Sequence, residues 1–406
     1  MSTHHEQAKK LRKLRTRQRV VSLIGIAILV WGIIQVTFLF LDYKNTESSN
    51  DAQIEQYISP VNLRASGYIK KIYFTEHQEV HKGDTLLVLD DREYKIRVME
   101  TEAALKDAKA DFIVAIGGGS SMDTAKGIGI VSNNPKFDDV VSLEGVAGTK
   151  NKTVPIIALP TTAGTAAETT INYVIIDETK QKKMVCVDPN DIPCAAIVDA
   201  ELMYSLPKGL TAATGMDAMT HAIEGLITKG AWEMSDMFEL KAIEMIHKYL
   251  PIAVNDPTNP EGRNGMAVAQ YIAGMAFSNV GLGVVHGMAH PLGAIFDIPH
   301  GVANALLLPI IMEFNAPAAL DKYVEIAKAM KVYKEGMSQE EAARAAVDAV
   351  RALSVRVGIP QHLSELGIKE SDLDKLATAA IADVCTPGNP REVTKEIILD
   401  LYKKAL

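Results

Sequence analysis

Five residues in the C-terminal half have the types and spacing of a metal site. Asp217 and His221 lie four residues apart in "GMDAMTHAIEG", as do His286 and His290 in "VGLGVVHGMAH", and His300 follows in "FDIPHG". Residues four apart share one face of a helix, so the members of each pair can approach the same ion. One carboxylate with several imidazoles favours Fe(II) or Zn(II), whereas Ca and Mg prefer oxygen ligands. The sequence therefore predicts a transition-metal site.

The other histidines of this half give no such signal. Neither His247 nor His362 has a carboxylate or imidazole at helical spacing with which it pairs convincingly, and we interpret both as packed or solvated side chains.

A second motif, "FIVAIGGGSSMDTAKG", is typical of a nucleotide-binding turn. Phe112–Ile116 is an uninterrupted apolar run, as in a strand that is buried on both faces. The following glycines allow a tight turn and close approach of a ligand. Ser120 and its neighbours then begin a helix whose free N–H groups suit a phosphate. The motif alone is weak evidence, because GxGxxG would need glycine at position 122, where Met122 stands.

The elements around these motifs change character near residue 207. Before it, apolar runs alternate with loops, and the hydroxyl-rich loop Pro160–Thr170 suits either a ribose or nicotinamide contact or a plain interdomain connection. The further predicted strands are Pro155–Leu159, Ile171–Ile176, Met184–Val187 and Ala195–Val198. From Pro207 onward, helix follows helix. The predicted fold is therefore an α/β nucleotide-binding domain followed by an all-α metal-binding domain.

The N-terminus predicts a membrane anchor. Basic residues crowd positions 9–19, and Val20–Leu41 carries no charge. As a helix this run is roughly 33 Å long, enough for a bilayer core of about 30 Å. A buried core helix and a signal peptide are the alternatives, but the run is long for a signal peptide and lacks a small-residue cleavage site. The positive flank predicts a cytoplasmic tail and places residue 42 onward across the membrane.

The composition of the whole chain limits its partners. The net charge of −8 argues against a nucleic-acid partner. Three cysteines without metal-ribbon spacing imply no disulfide framework.

Residues 1–110 resemble the membrane fusion proteins, the periplasmic adaptors of efflux and secretion systems. The resemblance rests on the anchor, a polar linker, "SGYIKKIYF…VHKGDTLLVLD" and the charged, helix-like residues 92–110. It implies half of a lipoyl-like β unit, and no complementary half follows in the sequence.

From about Asp111 to Leu406 the chain resembles the iron-containing, group III alcohol dehydrogenases. The resemblance is carried by "AIGGGSSMDTAKGIGIV", "ALPTTAGTAAETT", "CVDPNDIPCAAIVD", "ATGMDAMTHAIEG", "FSNVGLGVVHGMAHPLGA" and "PHGVANALLLP", in family order. It implies Asp217, His221, His286 and His300 as metal ligands, with His290 beside the metal as a proton-relay candidate. It also implies cofactor contacts at Gly118, Gly119, Ser120, Asp123, Thr161, Thr162, Thr165 and Lys183, and a weaker substrate-pocket candidate at Asn172.

The resemblance also implies reagents and partners. These are Fe(II), with Zn as the alternative, NAD(H), a small aldehyde or alcohol substrate, and a homodimer. Relatives of this family work in the cytoplasm, whereas an anchor at 20–41 predicts a single-pass inner-membrane protein.

The sequence departs from the family ahead of Asp111. A full member carries further strands of the nucleotide domain there, and this chain carries the adaptor-like segment. The predicted domains are therefore 1–19, 20–41, 52–110, a partial α/β domain at 111–206 and a helical domain at 207–406. We expect an exposed apolar sheet surface, weak nucleotide binding and poor folding of the α/β part.

Three hypotheses follow from this arrangement. The chain is a membrane-tethered dehydrogenase, an adaptor for transport, or a fusion of two genes without a joint function. The missing second β half weighs against the adaptor.

Overall fold

The computed structural model describes residues 2–45, 69–72, 87–89, 111–137, 140–177 and 182–406. The chain divides into two compact units, Met1–Asp90 and Asp91–Leu406. The predicted linker, most of the predicted lipoyl-like unit and the helix-like residues 92–110 lie outside the described residues.

The first unit contains one long helix and a strand pair. Helix α1 (Ser2–Asn45) includes the predicted anchor, and its Arg12–Leu39 stretch is long and apolar enough to cross a bilayer, with a mean hydropathy of 2.3 over an 18-residue window. Strands β1 (Ile69–Ile72) and β2 (Leu87–Leu89) pair antiparallel, with Ile69 opposite Leu89. Both strands fall where the sequence predicts β structure. That α1 spans a membrane stays a prediction.

The second unit begins with an α/β region. Its elements are β3 (Ile113–Gly117), α2 (Gly119–Asn133), β4 (Gly145–Val146), β5 (Ile156–Pro160), β6 (Asn172–Asp177), β7 (Lys182–Val187) and β8 (Ala195–Ala196). Strands β3, β5 and β8 form a parallel sheet in the order β3-β5-β8, with Ile113 opposite Ile156. A separate sheet has the order β4-β7-β6, in which β6 and β7 are antiparallel. The sequence predicted strands at these positions but not that they form a separate sheet. The short connection between β6 and β7 favours antiparallel pairing, because two parallel strands would need a longer crossover connection.

Helices make up the remainder of the second unit. They are α3 (Lys208–Ile227), α4 (Glu233–Asn255), α5 (Pro260–Val280), α6 (Val284–Phe296), α7 (His300–Asn315), α8 (Leu320–Ala329), α9 (Gln339–Arg356), α10 (Leu373–Ile381) and α11 (Lys395–Ala405). Short 3-10 turns lie at Val140–Leu143, Ala200–Met203, Ala316–Ala318, Leu363–Leu366, Glu370–Asp372 and Thr386–Gly388. The change to helices after Pro207 is as predicted.

Helix α3 forms the centre of the helical core. It is buried from Thr211 to Ile227 except at Thr214, so it is covered on nearly every side. Such all-round burial places its polar residues in the interior, where they require partners. The stretch His300–Ala318 is also apolar enough for a membrane helix, but 61% of it is buried inside the protein, as expected of a core helix.

Within the part of the chain that the structure describes, strand β3 is an outer strand of its sheet and presents an open apolar face. Among the described residues its strand partner is β5. Phe112, Val114 and Ile116 are 53%, 49% and 59% exposed, whereas Ala115, on the opposite face, is buried. Alternate residues of a strand point to opposite faces, so only one face of β3 is covered by described residues. This exposed apolar surface agrees with the expectation for a sheet without its neighbouring strands.

Candidate active site at a carboxylate and histidine cluster

Helices α3, α6 and α7 bring the predicted metal ligands together. Asp217, His221 and His286 are buried, and one potential ligand atom from each lies within 4.8 Å of the others. His300, the first residue of α7, places its Nε2 3.7 Å from Asp217 Oδ1. The i, i+4 pair on α3 thus meets His286 from α6 and His300 from α7, which are more than 60 residues further along the chain.

The amide of Asn304 indicates that the cluster suits a cation. Its Nδ2 atom lies 2.7 Å from Asp217 Oδ1, 3.1 Å from His286 Nε2 and 3.1 Å from His300 Nε2. An amide nitrogen has two hydrogens and cannot satisfy three acceptors. The Nδ1 atoms of His221 and His300 are also buried without hydrogen-bond partners. Several lone pairs converge here with too few hydrogen-bond donors to satisfy them, which fits a metal ion. Carboxylate oxygen and imidazole nitrogen atoms are ligands that suit iron or zinc.

Glu224 orients His286. Its Oε2 atom lies 2.6 Å from His286 Nδ1, and the backbone N–H groups of Val285 and His286 donate to the same carboxylate. When Nδ1–H donates to Glu224, the lone pair of Nε2 is directed towards Asp217. The motif "THAIEG" contained this residue three positions after His221, but the sequence reasoning did not select it.

Burial keeps the cluster histidines neutral. It lowers the pKa values of His221 and His286 to about 4, against the charge of Asp217, which acts in the opposite direction. Burial also holds the pKa of His300 well below its usual range, and the neighbouring His290 and His286 reinforce this. Metal ions bind neutral imidazole, so these ligands require no deprotonation near pH 7.

His290, the proton-relay candidate, lies beside the cluster. Its ring centroid is 5.3 Å from that of His300 and 6.0 Å from that of His286. Its Nδ1 atom is 2.8 Å from Asp383 Oδ2, while the backbone N–H of Cys385 donates to Asp383 Oδ1 at 2.9 Å. Asp383 lies 93 residues from His290, so no local motif indicated the pair.

A cavity of about 240 Å³ joins the cluster to the nucleotide motif. Its lining includes every predicted metal ligand and His290, together with Gly119, Ser120, Asp123, Thr165, Lys183 and Asn172. The lining does not include Gly118, Thr161 or Thr162. Phe277, Leu282 and Cys385 also line the cavity, and the Phe277 ring stacks on His221 with centroids 4.3 Å apart. The sequence reasoning missed these three residues, because apolar and thiol side chains carry no spacing signal.

The glycine turn packs directly against the threonine loop. A Cβ atom on Gly118 would lie 3.1 Å from Thr162 Cγ2, and one on Gly119 would lie 2.9 Å from Thr165 Cγ2. The N–H of Thr161 donates to the carbonyl of Gly117 at 2.8 Å. The two predicted cofactor-binding segments therefore form one surface, which side chains at these glycines would disrupt.

Lys183 borders this cavity and a second cavity of about 540 Å³. His290 and Asp383 line the second cavity as well. Burial lowers the pKa of Lys183, while the charges of Asp217 and Asp297 act in the opposite direction. Lys183 thus contributes to the walls of both cavities.

His247 and His362 lie apart from the cluster. His247 is half-buried within α4, and burial lowers its pKa; His362 is exposed. Among the described residues neither joins a group of potential metal ligands, which agrees with their interpretation from the sequence.

Comparisons with known proteins cover most of the chain. The family model "Iron-containing alcohol dehydrogenase" matches residues 91–200, and "Fe-containing alcohol dehydrogenase family, C-terminal" matches residues 211–406. Lactaldehyde reductase of Escherichia coli (strain K12) is 56% identical over 308 residues, which cover 76% of this chain and 80% of that protein. Neither family model covers residues 1–90, so the adaptor resemblance gains no support from them.

Two solved structures show the same fold. A 1,3-propanediol oxidoreductase matches with a TM-score of 0.74 and 40% identity, over 77% of this chain and 81% of that one. Sulfoacetaldehyde reductase from Bifidobacterium kashiwanohense, solved in complex with NAD⁺, matches with a TM-score of 0.68 and 34% identity, over 76% and 80% of the two chains. Both matches contain an α/β region followed by a helical region.

Proposed function

The chain belongs to the iron-containing alcohol dehydrogenase family and is a metal-dependent oxidoreductase of alcohols and aldehydes that uses iron and NAD(H), and we propose that its substrate is a small aldehyde of the lactaldehyde type. The observation that carries this proposal is the convergence of Asp217, His221, His286 and His300 on one wall of the cavity that the glycine turn also lines. A cavity of about 240 Å³ suits a short substrate beside a nicotinamide.

We propose Asp217, His221, His286 and His300 as the metal ligands. Three lie on buried helical segments, which limits their movement, and Glu224 restrains His286. Support on rigid elements and through a second layer of hydrogen bonds is what a metal site requires.

The glycine turn and the threonine loop are the proposed cofactor site. Gly118, Gly119 and Ser120 begin α2, whose free N–H groups suit the pyrophosphate. Asp123 lies in the same first turns, and burial raises its pKa to about 6, which reduces its repulsion of a phosphate near that pH. Thr161, Thr162, Thr165 and Lys183 are the proposed contacts of the ribose and nicotinamide.

The cluster and the cofactor divide the chemistry. When bound, the iron supplies Lewis acidity towards the substrate oxygen and the reduced nicotinamide supplies hydride. Phe277 and Leu282 supply apolar lining, which makes the cavity less favourable for water. Asp383 accepts the Nδ1–H of His290, so the imidazolium form of His290 can give its Nε2 proton to the substrate oxygen during reduction, and the neutral form can take a proton at Nε2 during oxidation.

The test uses the full chain, purified in detergent and loaded with Fe(II). We expect about one metal per chain and oxidation of NADH on addition of lactaldehyde. His286→Ala should lose both properties, while His362→Ala, an exposed control, should keep them. A wild-type chain that holds metal and binds NADH but reduces no small aldehyde would contradict the proposal.

We further propose that the predicted anchor at 20–41 holds the chain in the inner membrane, with the basic residues 1–19 in the cytoplasm. The length and apolarity of Arg12–Leu39 support this.

The boundary between the adaptor-like and dehydrogenase-like parts, predicted at residue 111, also remains a proposal, and the family match begins earlier, at residue 91. The adaptor role and the homodimer are weaker proposals. Association with an inner-membrane transporter would favour the first, and sedimentation of the purified chain tests the second.

A further inference from the structure

Lys126 is a fully buried lysine that the proposed chemistry does not use. It lies on α2, and its Nζ atom donates to the carbonyl of Thr170 at 2.5 Å, to the Thr170 hydroxyl at 3.0 Å and to the carbonyl of Asn172 at 2.8 Å. These three bonds use all three hydrogens of an ammonium group. They join the helix that follows the glycine turn to a segment 44 residues further along the chain.

Ion pairing alone does not explain this buried lysine. Among the described residues its nearest carboxylate oxygen, Asp191 Oδ1, lies 4.0 Å away, and both oxygens of Asp191 are buried without hydrogen-bond partners. Burying an ammonium group costs free energy, which its hydrogen bonds must offset. Because all three hydrogen bonds go to Thr170 and Asn172, the contact is specific for that segment.

The Thr170–Asn172 segment forms part of the cavity wall. Thr170, Asn172 and the following Tyr173 line the cavity that contains the metal cluster. On the side of the helical region, Ser278 Oγ accepts the N–H of Ile171 at 3.0 Å. The segment is therefore held by Lys126 from α2 and by Ser278 from α5.

We propose that Lys126 is a positioning residue that fixes the Thr170–Asn172 wall and thereby sets how closely a short substrate fits against the metal cluster. The proposal rests on the proposed function for the identity of the substrate. The placement of the wall by Lys126 can be measured without any reaction. Lys126 does not border the cavity, so its effect passes through the backbone of Thr170 and Asn172.

The test compares Lys126→Met with Lys150→Met, which removes an exposed lysine from the same region. Methionine is an unbranched side chain one atom shorter than lysine, and it removes the three donors. We expect the KM for lactaldehyde to rise about tenfold while kcat changes little, because binding is lost equally in the ground state and the transition state. Hydrogen exchange of a peptide covering residues 168–176 should accelerate, and metal content should stay at the wild-type value.

Thr170→Val is the second variant, for use if Lys126→Met does not fold. It removes one of the three acceptors and keeps the shape of the side chain, so we expect a smaller change in the same direction. Unchanged exchange in peptide 168–176 and an unchanged KM in a folded Lys126→Met protein would overturn the proposal. If the wild-type chain reduces no aldehyde, the proposed function fails, and the exchange comparison alone then decides the role of Lys126.

Discussion

At the scale of single residues, Glu224 has the clearest expected effect on the metal. It is buried, and its carboxylate accepts from His286 Nδ1 and from two backbone N–H groups. We expect Glu224→Gln to weaken metal affinity by about 10- to 100-fold, as is typical when the partner of a ligating histidine is changed. Competition with a chelator measures this affinity, and Glu340→Gln, at an exposed position, should leave it unchanged.

The pH dependence of metal binding follows from the same residues. Burial raises the pKa of Glu224 to about 7 in the metal-free chain, and its hydrogen bonds to Val285 and Gly283 oppose the rise. Binding a metal to His286 favours the Glu224 carboxylate, so the metal displaces a proton below pH 7. Affinity should therefore fall about tenfold per pH unit on acidification below 7.

This dependence should become steeper near pH 4, where His221 and His286 gain protons. Equilibrium dialysis at a series of pH values measures it. Glu224→Gln should make metal affinity nearly independent of pH between pH 7 and 4. A midpoint of metal release at the usual histidine pKa in that variant would refute the lowered pKa values of His221 and His286.

Asp383 should affect turnover and leave the metal in place. Burial would raise its pKa, but the charge and hydrogen bond of His290 and the N–H of Cys385 bring it below the usual value, so the group is a carboxylate near pH 7. Asp383→Asn removes the acceptor for His290 Nδ1–H, and we expect kcat to fall by about 10²- to 10⁴-fold. Steady-state kinetics with metal analysis measure this, and Asp348→Asn is the exposed control. A parallel loss of metal would indicate a structural role instead.

Sequence spacing identified the residues that repeat along one helix and missed those that meet only after folding. The pairs Asp217 with His221 and His286 with His290 were visible because four residues make about one helical turn. Asp383 reaches His290 from 93 residues away, so spacing gave no signal for it. Asn304 follows His300 by four residues on α7, but an amide is not among the usual ligands of iron or zinc, so the same spacing was not read there. Glu224 was within reach of the same reasoning, since it follows His221 on α3.

At the scale of elements, the sequence located the strands more accurately than their pairing. The predicted strand Phe112–Ile116 is shifted by one residue to Ile113–Gly117, and the predicted Pro155–Leu159 likewise to Ile156–Pro160. Apolar runs show where a strand lies, but hydrogen bonding between distant strands depends on tertiary contacts. The antiparallel β6–β7 pair and the two-residue strand β4 were therefore not predicted.

The contact between the glycine turn and the threonine loop leads to a prediction for the cofactor site. Gly119→Ala would place its Cβ 2.9 Å from Thr165 Cγ2 and so move the loop or the turn. We expect NADH affinity to fall about tenfold, or about 1.4 kcal/mol, while metal content is unchanged. Titration of NADH fluorescence measures the affinity, and Gly148→Ala, where a Cβ meets no atom within 4 Å, is the matched control. Equal NADH affinity in both variants would argue against this site.

At the scale of the whole molecule, the helical core and the α/β region differ in how completely they are covered. The ligand-bearing helix α3 is buried over most of its length, whereas strand β3 exposes Phe112, Val114 and Ile116. Burial of apolar surface is the main stabilising contribution, so the metal site should outlast the cofactor site during partial denaturation. This ordering follows from coverage of the described elements, and the weak nucleotide binding expected from the sequence stays a prediction.

The N-terminal helix leads to a prediction about where the chain resides. The stretch Arg12–Leu39 passes the length and apolarity required of a membrane helix, and the second compact unit begins at Asp91. We expect the full chain to stay in the membrane fraction after extraction with alkaline carbonate, and residues 91–406 expressed alone to be released. Ile28→Lys places a charge within the apolar stretch, at a cost of about 2.5–3.5 kcal/mol for a lysine at the centre of a membrane helix, and should weaken retention.

Thr16→Lys lies in the already basic flank and is the matched control, since a further positive charge there should not reduce retention. Release of the full chain by carbonate would eliminate the anchor, whatever the enzymatic activity. Retention of residues 91–406 would instead place the membrane contact in the second unit. The two results are distinguishable because the metal ligands all lie within residues 91–406, so metal content reports separately on the folding of that part.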